Sequence, residues 1–167
     1  MKRAGRFLGY LAASLAVIFF ALPVHSAQDQ KSGLFPEEVI SMKDLRAKQL
    51  GNEKFVLLDA RSKESYDTLH ITGAVLPLSP EYYKAEELFR FGLVKEVPDR
   101  EKDLAAAMKK YPKDMPIAAY CNDHCSASAV LVLKLKEFGY THVRAMEPGI
   151  QSWQTAGYPV VSSAKNS

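Results

Sequence analysis

The only two cysteines of the chain, Cys121 and Cys125, stand four residues apart in one stretch, Cys121-Asn122-Asp123-His124-Cys125-Ser126-Ala127-Ser128. A pair so close is no disulfide framework for a whole fold and marks a local site instead. An apolar run, Ile117 to Tyr120, leads straight into Cys121, and a helical pattern follows from about Cys125. A cysteine between a strand and a helix meets backbone N–H groups pointing into the turn and the positive end of the helix dipole. Both favour the thiolate, the nucleophilic form of the residue. The amides of Asn122, Asp123, His124, Ser126 and Ala127 are therefore the candidate substrate-binding groups. Cys125 would approach Cys121 closely enough for a disulfide, to protect the thiolate, resolve an adduct or form a redox couple. The competing readings are a buried structural thiol at Cys121, a packing residue at Cys125 and an exposed loop residue at His124. Cys121, His124 and Cys125 offer only three ligands for a soft metal at a spacing that is no known structural zinc pattern, so no metal or other cofactor is expected.

The elements that must place this loop alternate in type. Val39-Ile40 is a short strand candidate, with Ser41 capping a helix whose third position is Asp44. Phe55 to Leu58, ending in Asp59, reads as a strand buried on both faces. Ala74 to Leu78 is a further apolar piece, and Glu81–Arg90 and Asp99–Tyr111 read as helices, the second capped by Asp99 and stopped by Pro112. After the loop, Val130, Leu131, Leu133, Leu135 and Phe138 form a helical stripe expected in the core, closed by Gly139. His142–Met146 is the last strand candidate, and Gly149–Ala156 a short helix around Trp153. Strands alternating with helices argue for an α/β domain with a parallel sheet.

The first residues carry a different signal. Lys2, Arg3 and Arg6 precede an apolar run from Phe7 to Leu22, and Pro23 to Ala27 ends in small residues, the layout of a cleaved secretory signal peptide. The expected division is a leader over 1–26 cut between Ser26 and Ala27, a lead-in over 27–37, the domain over 38–161 and a tail over 162–167. Cleavage removes three of the 22 basic residues and none of the 19 acidic ones, so the formal charge of +3 falls to zero. Nothing in that balance calls for nucleic acid or, after cleavage, a membrane as partner. Localisation in the periplasm or outside the cell is expected.

Three strings, in order, resemble the rhodanese family of sulfurtransferases. Leu57-Leu58-Asp59-Ala60-Arg61 with Glu64-Ser65-Tyr66 and His70-Ile71-Thr72-Gly73-Ala74 is the first. Ile117 to Cys121 is the second, and Glu147 to Trp153, continuing through Ala156-Gly157-Tyr158-Pro159, is the third. The resemblance spans roughly residues 38–161 and implies an α/β rhodanese-like fold, a central, mainly parallel five-stranded sheet flanked by helices. It also implies Cys121 as the sulfur-carrying nucleophile: a donor gives its outer sulfur to Cys121 as a persulfide, and an acceptor thiol or partner protein removes it. Asp59 and Arg61 are expected to anchor the first loop, His70 to pack or cap in its turn, and Trp153 to hold the last helix on the sheet.

The loop departs from the family. Where such enzymes carry an arginine five residues past the cysteine, no arginine or lysine occurs before Lys134. That argues against anionic thiosulfate as donor, as does Asp123, and against phosphatase chemistry on the seven-residue loop. The C-x3-C spacing resembles exported rhodanese-like proteins associated with quinoprotein alcohol oxidation, although Ser126 stands where those have tryptophan. A sulfurtransferase using Cys121 with Cys125 as resolving thiol is thus the leading reading. A thiol–disulfide redox protein and a catalytically silent binding module are the rivals.

Overall fold

A computed structural model describes residues 33–163. The expected leader, the first part of the lead-in and residues 164–167 lie outside the described residues. A single turn of 3-10 helix, Pro36–Glu38, leads into β1 (Val39–Ser41) and α1 (Met42–Leu50). Ser41 caps α1 by accepting the Asp44 N–H at 3.1 Å, as its position predicts. β2 (Val56–Asp59), α2 (Lys63–Thr68), β3 (His70–Ile71) and β4 (Ala74–Val75) follow, then α3 (Pro80–Arg90) and α4 (Arg100–Met108). The second half runs β5 (Ile117–Tyr120), α5 (Ala127–Glu137), β6 (Val143–Glu147), α6 (Ile150–Thr155) and β7 (Val160–Val161).

The central sheet has five strands in the order β1-β6-β5-β2-β4, every pair parallel. β3 and β7 make a separate antiparallel pair with His70 opposite Val161. β5 sits in the middle and is buried on both faces along its whole length. Ile117 and Ala119 point into the core under α3, α4 and α5, whereas Ala118 and Tyr120 point into the one under α1 and α6. This two-sided burial is why the strand reads as a continuous apolar run instead of an alternating one. Trp153 is fully buried in the second core and its indole N–H donates to the Pro159 carbonyl at 3.2 Å. His70 is buried, stacked on Tyr66 with ring centroids 3.8 Å apart, as expected of a packing residue.

The expected α5 stripe is corrected at two positions. Leu131 and Leu135 enter the core and Phe138 packs against it, joined by Ala129 and Val132, whereas Val130 and Leu133 are 61% and 41% exposed. Val132 and Leu135 are spaced three apart with Ala129, so the docking face follows i, i+3, i+6 and its neighbours. The apolar residues of α5 outnumber what one face can bury, and the count alone does not set the phase. Helix α5 also begins at Ala127, which leaves Cys125 in the loop and not on the first helical turn.

Candidate active site

The loop after β5 lies at the carboxyl end of the sheet, flanked by the ends of β2 and β6. The sheet order reverses between β2 and β5, and open α/β sheets build their sites beside such a point. Five hydrogen bonds hold the loop on the start of α6. The Ile150 N–H donates to the Cys121 carbonyl at 3.0 Å. The Asp123 N–H donates to Gln151 Oε1 at 2.7 Å, and Gln151 Nε2 donates to Asn122 Oδ1 at 3.0 Å. The Asp123 carboxylate takes the Ser152 hydroxyl at 2.5 Å and the Ser152 N–H at 3.3 Å. Gly149 lies directly beneath: a Cβ there would fall 2.3 Å from the Asn122 carbonyl carbon and 2.4 Å from the Cys121 oxygen. The Glu147–Pro148 peptide just before it is cis.

On the other side, Asp59 is completely buried at the end of β2. Arg61 grips it with two nitrogens, at 2.9 and 2.7 Å, and spends the remaining reach on the Leu69 carbonyl at 2.5 Å. The Tyr120 hydroxyl donates to Asp59 at 2.6 Å and accepts the Ile71 N–H at 3.0 Å. Asp59 and Arg61 therefore anchor the first loop, as expected, and through the Tyr120 hydroxyl Asp59 also holds the strand end that delivers Cys121. Arg61 does not line the cleft over the cysteine loop.

The two thiols are free, Cys121 buried and Cys125 exposed. Cys121 is only 2% accessible, and its sulfur faces carbonyl oxygens: that of Cys125 at 3.1 Å and that of Asn122 at 3.4 Å. The Ser128 hydroxyl stands 3.4 Å away. Burial pushes the Cys121 thiol up to about 11; the neighbouring Cys125 thiol pushes the same way, against the Ser128 hydroxyl and N–H. This corrects the expected thiolate. His124 adopts a left-handed backbone with φ 60°, so the loop does not run on as a smooth turn of amides around the sulfur. The Asp123 N–H is spent on Gln151 and the Ala127 N–H donates to Cys125 Sγ at 3.4 Å. An acceptor-rich pocket stabilises S–H over S⁻.

Alkylation of Cys121 should accordingly keep rising with pH to a midpoint near 11. A midpoint at about 8.5, the value of free cysteine, would contradict the burial. Stability follows the same sign. The thiol's folded value is raised, so its contribution is fully present below the unfolded value and is lost as pH climbs through about 11.

A cleft of about 630 Å³ opens over the loop, lined by Asn122, His124, Cys125, Ser126, Ser128 and the Met146–Gly149 turn. Of the expected substrate-binding residues, Asn122, His124 and Ser126 line it. Asp123 does not; its carboxylate is an anchor to α6. Ala127 faces a second, apolar cleft of about 410 Å³ beside α4 and α5. No lysine or arginine lines the cleft over the loop, and Glu147 does. Among the described residues no group of three His, Cys, Asp or Glu is placed to hold a metal ion.

Ser128, Gly149, Gln151 and Ser152 carry no role in the sequence reading. Ser128 stands at the end of the loop string, and the other three within the string Glu147 to Trp153. Their signal is proximity in space, which spacing along the chain does not carry.

Comparison with known proteins agrees with this architecture. The model of the Rhodanese-like domain matches residues 41–156. Among solved structures, the Rhodanese-like domain from Anabaena sp. matches with a TM-score of 0.56 at 19% identity, covering 78% of this chain and 85% of that one. The BH2092 protein from Bacillus halodurans matches with a TM-score of 0.56 at 20% identity, covering 76% and 78%. Thiosulfate sulfurtransferase from Pseudomonas aeruginosa matches with a TM-score of 0.53 at 22% identity, covering 75% of this chain and 20% of that one. At these identities the likeness is one of fold. None of the curated proteins matches this chain. The family match over residues 41–156, on a parallel sheet that carries Cys121 at the end of its middle strand, shows that the chain belongs to the rhodanese-like family.

Proposed function

We propose that this chain is an exported sulfurtransferase that carries sulfane sulfur as a persulfide on Cys121, with Cys125 as its partner thiol. The observation that carries this reading is the pairing of a buried Cys121 with an exposed Cys125 at the carboxyl end of the middle strand, under a cleft that Cys125 lines. A cleft with no lysine or arginine in its lining suits a thiol-borne sulfur donor, R–S–SH, better than dianionic thiosulfate. A thiol acceptor then removes the sulfur. In its absence Cys125 resolves the persulfide: the Cys125 thiol attacks the inner sulfur of the Cys121 persulfide, giving the disulfide and releasing hydrogen sulfide.

Cyanide trapping tests the reading. With a low-molecular-weight persulfide as donor, thiocyanate release is expected from wild type and to fall to background when both thiols are removed together, Cys121→Ser with Cys125→Ser. With thiosulfate the wild type should be slower by at least about two orders of magnitude, the scale of one lost charge-assisted contact in the transition state. Equal thiocyanate rates for wild type and that double variant would remove the proposal.

The same two free thiols four residues apart favour one second reading, a thiol–disulfide couple that takes two electrons from its own dithiol and gives them to a disulfide R–S–S–R, releasing two R–SH. Free-thiol titration of the exported protein separates the two, since insensitivity of both thiols to oxidised glutathione excludes the couple.

A further inference from the structure

We propose that sulfur enters this site through Cys125 and reaches Cys121 only from there, a two-thiol relay in which the exposed cysteine, not the strand-end one, meets the external donor. This inference rests on the sulfur-carrying reading above and assigns the order in which its two thiols act.

Accessibility argues first. Cys125 is exposed and lines the cleft over the loop, whereas Cys121 is 2% accessible and is not among the lining residues. In-line attack on a donor S–S bond needs the nucleophile and the leaving sulfur on a common axis, and a sulfur closed over by the Asn122 and Cys125 carbonyls offers no such axis to a solvent-borne donor.

The donors in the loop are arranged the same way. The N–H of Ala127, the first residue of the eleven-residue helix α5, points at Cys125 Sγ at 3.4 Å. The Cys121 thiol donates instead to the Cys125 carbonyl, at 3.1 Å. The Cys125 sulfur thus accepts from the helix start, whereas the Cys121 sulfur faces two carbonyl acceptors with the Ser128 hydroxyl beside it. Burial also keeps Cys121 protonated at neutral pH. Two units above the ordinary value deplete its thiolate about a hundredfold, of which the greater nucleophilicity of a more basic thiol recovers roughly tenfold, leaving a deficit of about tenfold.

The chemistry closes without an added oxidant or reductant. The Cys125 thiolate attacks the outer sulfur of R–S–SH; the donor S–S bond breaks, R–S⁻ leaves, and Cys125 holds –S–SH. The Cys121 sulfur then attacks that outer sulfur and the bond to Cys125 breaks. The proton of Cys121 passes to the departing Cys125 sulfur. The products are Cys121–S–SH and Cys125–SH. The carried sulfur rests on the less accessible of the two thiols and leaves to an acceptor thiol by the reverse exchange through Cys125.

Two measurements on the full-length chain test the relay. Reduced wild type is treated with limiting N-ethylmaleimide at neutral pH and mapped by peptide mass. Cys125 should be labelled at least about tenfold faster than Cys121; equal labelling, or Cys121 first, overturns the proposal. Single-turnover loading with cysteine persulfide is then followed by intact mass. Cys121→Ser should gain one sulfur at the wild-type rate and hold it on Cys125, whereas Cys125→Ser should load at least about tenfold more slowly. Wild-type-rate loading of Cys125→Ser, or a wild-type persulfide that never leaves Cys125, overturns the relay. If no variant and no wild type gains sulfur, the sulfur-carrying reading and the relay fall together, and the labelling order still reports which thiol faces a partner.

Discussion

Replacing Asp59 with alanine should destabilise the protein by about 3–5 kcal/mol, the cost of leaving a buried partner charge unmatched. The carboxylate is fully buried, and three groups depend on it: the Arg61 guanidinium, the Tyr120 hydroxyl and the Arg61 N–H at 3.0 Å. The Arg61 side chain is only 9% exposed, so water does not simply replace the lost carboxylate. Tyr120 immediately precedes Cys121, and its hydroxyl also holds β3 through the Ile71 N–H, so the defect spreads to the strand end that presents the loop. Asp59→Asn, which keeps an acceptor and the shape, should lose less than Asp59→Ala. Thermal unfolding measures both, and a drop in Tm on the order of 10 °C is expected for the alanine variant. A cost below about 1 kcal/mol, the range of an exposed ion pair, would show that this cluster does not organise the site.

Gly149→Ala should cut single-turnover persulfide loading by about a hundredfold, the scale of an ångström misplacement of a reacting group. The added Cβ would meet backbone on three sides: the Asn122 carbon at 2.3 Å, the Cys121 oxygen at 2.4 Å and the Asp123 nitrogen at 2.5 Å. None of these is the flexible end of a side chain, so relief requires the loop to lift off α6. Lifting it breaks the Ile150 to Cys121 and Asp123 to Gln151 hydrogen bonds and opens the burial that keeps Cys121 protonated. Loading should therefore fall while alkylation of Cys121 rises, and overpacking should cost about 1–3 kcal/mol of stability. Wild-type loading together with wild-type melting would show that the loop does not depend on this close approach.

The framework is legible in the sequence where local chemistry is strong. The caps at Ser41 and Asp99, the apolar runs of β2 and β5 and the glycine ending α5 are signals that one segment carries by itself. α2 escapes such a reading, because none of its six residues is buried and no apolar period marks it. The β3–β7 pair is invisible for another reason: two residues pair with two others about ninety positions later, a purely long-range choice. The same division runs through the site. The place of Cys121, after the middle strand and before a helix, follows from pattern alone. Its protonation does not. Whether a loop turns amides or carbonyls toward a sulfur depends on backbone conformation, here set by the left-handed His124 and by the Gln151 and Ser152 contacts. A helical reading of Cys125 misses that it stands free at the mouth of the cleft.

One question decides whether the fold is used for sulfur transfer at all, and intact mass of the full-length chain answers it most directly. The reduced protein is mixed with one equivalent of cysteine persulfide, freed of small molecules, and weighed before and after addition of a thiol acceptor. The expected result is a gain of one sulfur atom, mapped to Cys121 and lost to the acceptor. A protein that emerges unchanged, or lighter by two hydrogens with no sulfur gained at any time, would contradict it.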